Sequence, residues 1–188
     1  MIENYFRSFN IFSDNEINDL IQNFVPKKLS KTEFFIKENR SCKEIAFIQS
    51  GIFRSYYTTD EGIENTFCFR FPNNFLAPYS AFITGNPSME TMQAITDAHL
   101  LVVPRRKIEQ LVNENLSWMK LLKINAEQEY LELEKRFFQM QKDNAKQRYI
   151  LLLKNQPDFI REIPLKYLAS YLGVTQRHLS RIRREIYF

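Results

Sequence analysis

Two cysteines, two histidines, four glycines and one tryptophan are all that this 188-residue chain carries of those residue types. Cys42 and Cys68 are too few, and too far from any third ligand, to suggest a zinc or iron–sulfur site. The two could pair, but the expectation is a reduced pair of half-buried strand residues in a cytosolic protein. His99 and His178 lie far apart in the chain. A cupin-like metalloenzyme needs two or three histidines and a carboxylate converging inside a barrel, so that reading lacks its ligands. There is no glycine-rich phosphate loop, no nucleophile elbow and no catalytic dyad, and the chain is read as not an enzyme. No window approaches the roughly 18 apolar residues of a membrane span, and "MIENYFRSFN" has no apolar core of signal-peptide length. The expected location is therefore the cytoplasm, with no membrane partner.

What the chain does have is a basic end. The net charge is only +4, but residues 143–188 hold nine Lys or Arg against four Asp or Glu, while the rest holds seventeen against eighteen. A basic module on a neutral body is the electrostatic footprint of a nucleic-acid binder.

Hydrophobic spacing divides the chain. Residues 1–24 read as a helical lead-in, with Ser13 and Glu16 spaced as a capping box before Ile17, Leu20, Ile21 and Phe24. From about Val25 to Val103 the period is two, in short segments such as "EIAFIQS", "GIFRSYYTT", "IENTFCFRF", "ETMQAIT" and "AHLLVV", separated by turn signals. That spacing predicts a closed antiparallel sheet, a barrel or jelly roll. "PRRKIEQLVNEN" follows as a short helix with proline in its first turn. Residues 116–142 contain neither Gly nor Pro, and Met119, Leu122, Ala126, Tyr130, Leu133, Phe137 and Met140 recur three and four apart. A helix of that length, about 40 Å at 1.5 Å per residue, with so long an apolar seam calls for a partner, and a second copy is the expected one. Three helical patterns close the chain: "DNAKQRYILLLKNQ", "PLKYLASYLG" and "TQRHLSRIRREI". The expected domains are thus a sensor roll at 1–115, a central dimerisation helix at 116–142 and a terminal module at 143–188.

The last two patterns fit a helix–turn–helix. Leu165, Leu168, Leu172, Val174, Leu179 and Ile182 stand at the apolar positions, Ala169 is small where two helices cross, and Gly173 supplies the turn. Thr175 is placed to cap the second helix, with Val174 and Leu179 spaced as a hydrophobic staple. With Leu179, Ile182 and Ile186 turned inward, Gln176, Arg177 and Arg181 are best placed to meet base edges in a major groove. Thr175, His178, Ser180 and Arg184, with Lys166 on the first helix, are the expected phosphate contacts. Arg183 points more sideways.

On "LASYLGVTQRHLSRIR" and the roll segment "IAFIQSGIFRSYY", with Gly51 at its turn, the chain resembles the Crp–Fnr family of bacterial transcription regulators over nearly its whole length. The resemblance implies an α+β fold: an N-terminal antiparallel β-roll of the cyclic-nucleotide-binding kind, a long dimerisation helix and a C-terminal helix–turn–helix. It implies a homodimer on double-stranded DNA, RNA polymerase as a further partner, and Arg181 in the place of the family's base-reading arginine. Three departures stand out. Ser88 and Met89 occupy the place of the Arg-Ser pair that holds a cyclic nucleotide's phosphate, no Arg or Lys lies between Arg70 and Arg105, and 118–143 has no Ser or Thr for an adenine. A buried phosphate without a cation is costly, so cyclic nucleotide is disfavoured, no cofactor is expected and the effector is unknown. The oxygen sensors' cluster cysteines are missing, and a lone His99 reads as a sheet residue more readily than as a haem ligand. The chain also ends at Phe188, before the family's β-hairpin wing, so the module is expected to lack a full wing. The alternative function is a ligand-binding or scaffold roll without DNA binding.

Overall fold

The alternating stretch folds as two four-stranded antiparallel sheets. The structure, a computed structural model, describes residues 1–187, with side chains through Ile186. Eight strands lie among them: β1 (Val25–Leu29), β2 (Phe34–Ile36), β3 (Glu44–Ser50), β4 (Phe53–Thr58), β5 (Glu64–Arg70), β6 (Phe75–Leu76), β7 (Thr91–Ala94) and β8 (Ala98–Pro104). One sheet has the order β1-β8-β3-β6 and the other β2-β7-β4-β5. β8 is paired on both sides, with β1 from Val25↔Val102 to Leu29↔Ala98 and with β3 from Glu44↔Pro104 onward. Pro26 is tolerated in β1 because that strand is an edge.

The chain divides into two compact units, Met1–Tyr57 with Cys68–Asn125, and Thr58–Phe67 with the residues from Ala126 onward. In the first unit, the inward positions of both sheets form one core: Ala46, Ile48, Phe53, Leu76, Met92, Ala94, Ala98 and Leu100. The β3–β4 turn depends on Gly51, whose φ is +95°, and a Cβ there would sit 2.5 Å from Ala98 Cβ and 2.6 Å from the Asp97 carbonyl oxygen. No side chain fits that approach.

A second, aromatic-rich core joins α1 (Ile2–Ser8) and α2 (Asp14–Ile21) to α4 (Arg105–Glu114) and the start of α5 (Leu116–Lys142). Phe6 is its hub, with ring centroids 5.7 Å from Phe12 and 6.1 Å from Trp118 in edge-on geometry. Such pairs contribute about 0.5–1.5 kcal/mol each beyond burial. The Ser13–Glu16 capping box forms in both directions. A hydrogen bond from the Asn115 amide, with the Ser13 backbone and hydroxyl, holds the Glu16 carboxyl below the usual carboxylate range.

Several elements differ from the sequence expectation. The helical lead-in consists of α1 and α2, but a one-and-a-half-turn helix, α3 (Tyr79–Thr84), sits in the roll where strand and turn were expected. Pro104 ends β8 and stands just before α4 instead of inside its first turn. Cys42 is buried in the loop before β3 and is not a strand residue, whereas Cys68 is half-buried on β5; neither is in a disulfide. Burial pushes the Cys42 thiol upward, which makes it a poor thiolate. No group of three or more metal-ligating side chains occurs among the described residues, and no helix there is long and apolar enough to cross a membrane.

Candidate nucleic-acid interface

The second unit is built on the remainder of α5 and four further helices. α6 (Ala145–Asn155) opens with a capping box that the sequence reading does not include: Asn144 accepts from the Gln147 amide at 3.0 Å while the Gln147 side chain accepts from the Asn144 amide at 2.9 Å. Pro157 then starts a short helix not foreseen in sequence, α7 (Pro157–Glu162), because proline is pre-set for a first helical position. α8 (Leu165–Tyr171) and α9 (Gln176–Tyr187) complete the module.

The turn between α8 and α9 is a Schellman motif around Gly173. Gly173, at φ +68°, donates to the Ser170 carbonyl, and Val174 donates to the Ala169 carbonyl, both at 3.0 Å. Thr175 caps α9, its hydroxyl oxygen accepting from the His178 amide at 3.2 Å. Leu168, Ala169, Leu172, Leu179 and Ile182 are all buried, joined by Tyr149, Leu152, Phe159 and Ile163 from the preceding helices. The positive φ should make Gly173→Ala destabilising by ~1–2 kcal/mol, the cost of a left-handed backbone for an L side chain. Its Cβ would also meet Met140 Cε at 3.0 Å. Thermal unfolding of the variant measures the loss, and an unchanged midpoint would show that the turn relaxes freely.

This packing sorts the candidate side chains. Thr175, Gln176, Arg177, Arg181 and Arg184 are exposed, as is Lys166 on α8. His178, Ser180 and Arg183 are half-buried. The Arg181 side chain is 69% exposed, with Nε 4.0 Å from a Glu185 carboxylate whose other oxygen takes Lys146 at 3.1 Å. Glu185 is thus mainly committed to Lys146, and the Arg181 fork faces outward. Thr175 spends a lone pair on the cap and keeps its hydroxyl proton to donate. The face therefore presents three arginines, a glutamine and a hydroxyl from one helix, with Lys166 from the other. That is the donor set for phosphate oxygens and for the acceptors of a major groove.

One arginine absent from the sequence reading serves the turn itself. Arg148, on α6, donates from Nε and Nη2 to the Leu172 carbonyl at 3.3 and 3.0 Å, and from Nη1 to the Asp143 carbonyl. It satisfies a carbonyl at the C-terminal end of α8, where a cation is favoured. In sequence nothing separates Arg148 from a solvated surface charge.

The apolar seam of α5 is open on the single chain. In the second unit Tyr130 is 61%, Leu133 52% and Phe137 57% exposed.

Residues 26–115 match the family model of the cyclic nucleotide-binding domain. No curated protein sequence matches the chain. Among solved structures, FixK2 from Bradyrhizobium japonicum superposes with a TM-score of 0.76 at 17% identity, covering 87% of this chain and 84% of its own. A putative Crp/Fnr-family transcriptional regulator from Eubacterium rectale gives 0.75 at 19%, covering 97% and 87%. CLP, the c-di-GMP-responsive global regulator of Xanthomonas campestris, gives 0.73 at 12%, covering 93% and 91%. The likeness extends over roll, long helix and terminal module alike, and it establishes the fold.

Proposed function

We infer that this chain, a cyclic nucleotide-binding-domain protein with the fold of the Crp–Fnr transcription regulators, is a homodimeric, sequence-specific DNA-binding regulator. The observation that carries this reading is the outer face of α9. A helix that buries Leu179 and Ile182 on its inner face holds Gln176, Arg177, Arg181 and Arg184 in the open, at the end of the chain where the basic excess lies. Gln176, Arg177 and Arg181 read bases; Thr175, His178, Ser180, Arg184 and Lys166 hold phosphates. Two copies joined along α5 present two such helices to successive major grooves, roughly 34 Å apart. RNA polymerase is the natural further partner of a protein so placed on a promoter.

The roll is read as a sensor whose effector is not a cyclic nucleotide. Its loop after α3 has the buried Ser88 at the position in question, with that hydroxyl donating to the Glu90 carbonyl at 2.7 Å and accepting from the Glu90 amide at 3.2 Å. Met89 beside it is 75% exposed. The buried cation Arg54 belongs to β4 and not to this loop, and its guanidinium lies 4.3 Å from the Tyr56 ring centroid. Residues 85–90 themselves carry no cation, and the Arg105 guanidinium that reaches Gly85 is already paired with Glu109 at 2.8 Å, so a phosphate in the loop would have to compete for it and face the nearby Glu90.

Binding to a random-sequence duplex pool across a salt series tests the reading. Lys166 and Arg184 of two protomers should alone give a log–log salt slope of about −3.6, at about −0.9 per phosphate neutralised. A flat response would leave the alternative, a ligand-binding or scaffold protein.

A further inference from the structure

The hairpin joining β4 to β5, Thr58–Phe67, belongs to the second unit. Among the described residues β5 is the edge of its sheet, so its outward N–H and C=O groups are open to partners other than a strand. Two side chains of the second unit take them up. Ser170, on α8, accepts from the Thr66 amide at 2.8 Å and donates to the Glu64 carbonyl at 3.1 Å. Residues two apart point the same edge outward, so one hydroxyl spans both groups. Arg136, on α5, donates from Nη2 to the Thr66 carbonyl and to the Tyr171 carbonyl, each at 3.2 Å. Its guanidinium lies 4.1 Å from the Tyr171 ring centroid and 5.8 Å from that of Phe67.

We propose that Ser170 and Arg136 are positioning residues for DNA reading: they lock the helix–turn–helix to the open edge of β5 and to α5, and so fix the direction in which α9 is presented. The proposal rests on the two-site DNA reading above. Neither residue lies on the exposed face of α9, so the lock and the duplex do not compete for the same groups. A locked module meets DNA with its rotation already restricted, and that freedom need not be removed on binding. In a dimer the gain is geometric. Two locked modules fit one half-site spacing, whereas two freed modules would accept several at lower affinity.

The test uses the full-length protein and the variants Ser170→Ala, Arg136→Met and Ser170→Thr. Hydrogen exchange at the Thr66 amide reads the lock directly. It should be protected in the wild type, exchange about three- to tenfold faster in Ser170→Ala, where the amide has no hydroxyl to donate to, and be restored in Ser170→Thr, which keeps the hydroxyl. DNA reading is measured on a duplex selected by the wild type from a random pool, and on the same duplex with 5 base pairs inserted between the half-sites, about half a helical turn. The wild type should discriminate strongly between the two. Ser170→Ala and Arg136→Met should bind the selected duplex more weakly and discriminate less. Unchanged Thr66 exchange in Ser170→Ala would overturn the lock. Faster exchange with full spacing discrimination would overturn its positioning role. If the wild type selects no duplex, the regulator reading fails, and the exchange data alone sustain or overturn the lock.

Discussion

Phe137→Glu is expected to turn a dimer into a monomer and to lower affinity for a two-half-site duplex by ~10²–10⁴-fold, the factor that linking two binding modules supplies. Phe137 is 57% exposed in the single chain, between Leu133 at 52% and Met140 at 43% on the same side of α5. Three- and four-residue spacing puts these on one stripe, and a monomer has no use for so much open apolar surface along a single helix. In a paired seam the new carboxylate would be desolvated against its twin, which costs more than the apolar packing it replaces. In an isolated chain it would face water, so thermal unfolding of the monomer should change little. Sedimentation equilibrium combined with DNA binding separates the two cases. A Phe137→Glu protein that stays dimeric would move the seam elsewhere, and a monomeric wild type at working concentration would remove the basis for reading two half-sites at once.

How much of this was legible in the sequence depends on the kind of interaction. Patterns that repeat locally were readable. The capping box at Ser13–Glu16, the strands of "EIAFIQS" and "AHLLVV", the 116–142 helix and the turn at Gly173 all stand where spacing placed them. Short elements that owe their shape to neighbours were not. β2 has three residues and β6 has two, and their pairing with β7 and β3 comes from the roll, not from any periodicity of their own. α3 runs from Pro78 as its N-cap to Gly85 as its left-handed C-cap, and Gly85 belongs to "TGNPS", which reads as a turn signal between strands. At the interface the apolar scaffold was legible, because Leu168, Ala169, Leu172, Leu179 and Ile182 obey a strict pattern of burial. The polar supports were not. Arg136, Arg148 and Ser170 act on main-chain carbonyls and amides, and a main-chain partner leaves no mark in the residue sequence.

Arg181→Ala should cost the most at the DNA itself. A bidentate arginine–guanine pair is worth ~1–3 kcal/mol, and two half-sites double it to ~2–6 kcal/mol, or about 30- to 10⁴-fold in affinity for the selected duplex. The geometry favours a base over a phosphate. Arg181 lies one and a half turns into α9, on the same face as Gln176 and Arg177, and its side chain is 69% exposed. Its one acidic neighbour in the helix, Glu185, stands 4.0 Å from Nε and is held at 3.1 Å by Lys146, so little attraction must be broken before the guanidinium turns to a guanine. Specificity should relax at one base pair in each half-site, and the effect on random duplex should be far smaller. Lys166→Ala is the contrasting case. An exposed lysine on α8 serves phosphates, so every sequence should weaken alike, and the salt slope should become shallower by about 1 for each phosphate left unneutralised. Competition titrations of both variants against selected and random duplex, over a salt series, tell the two roles apart. Equal losses for Arg181→Ala on the two duplexes would move that arginine to the phosphates and leave Gln176 and Arg177 to read the sequence.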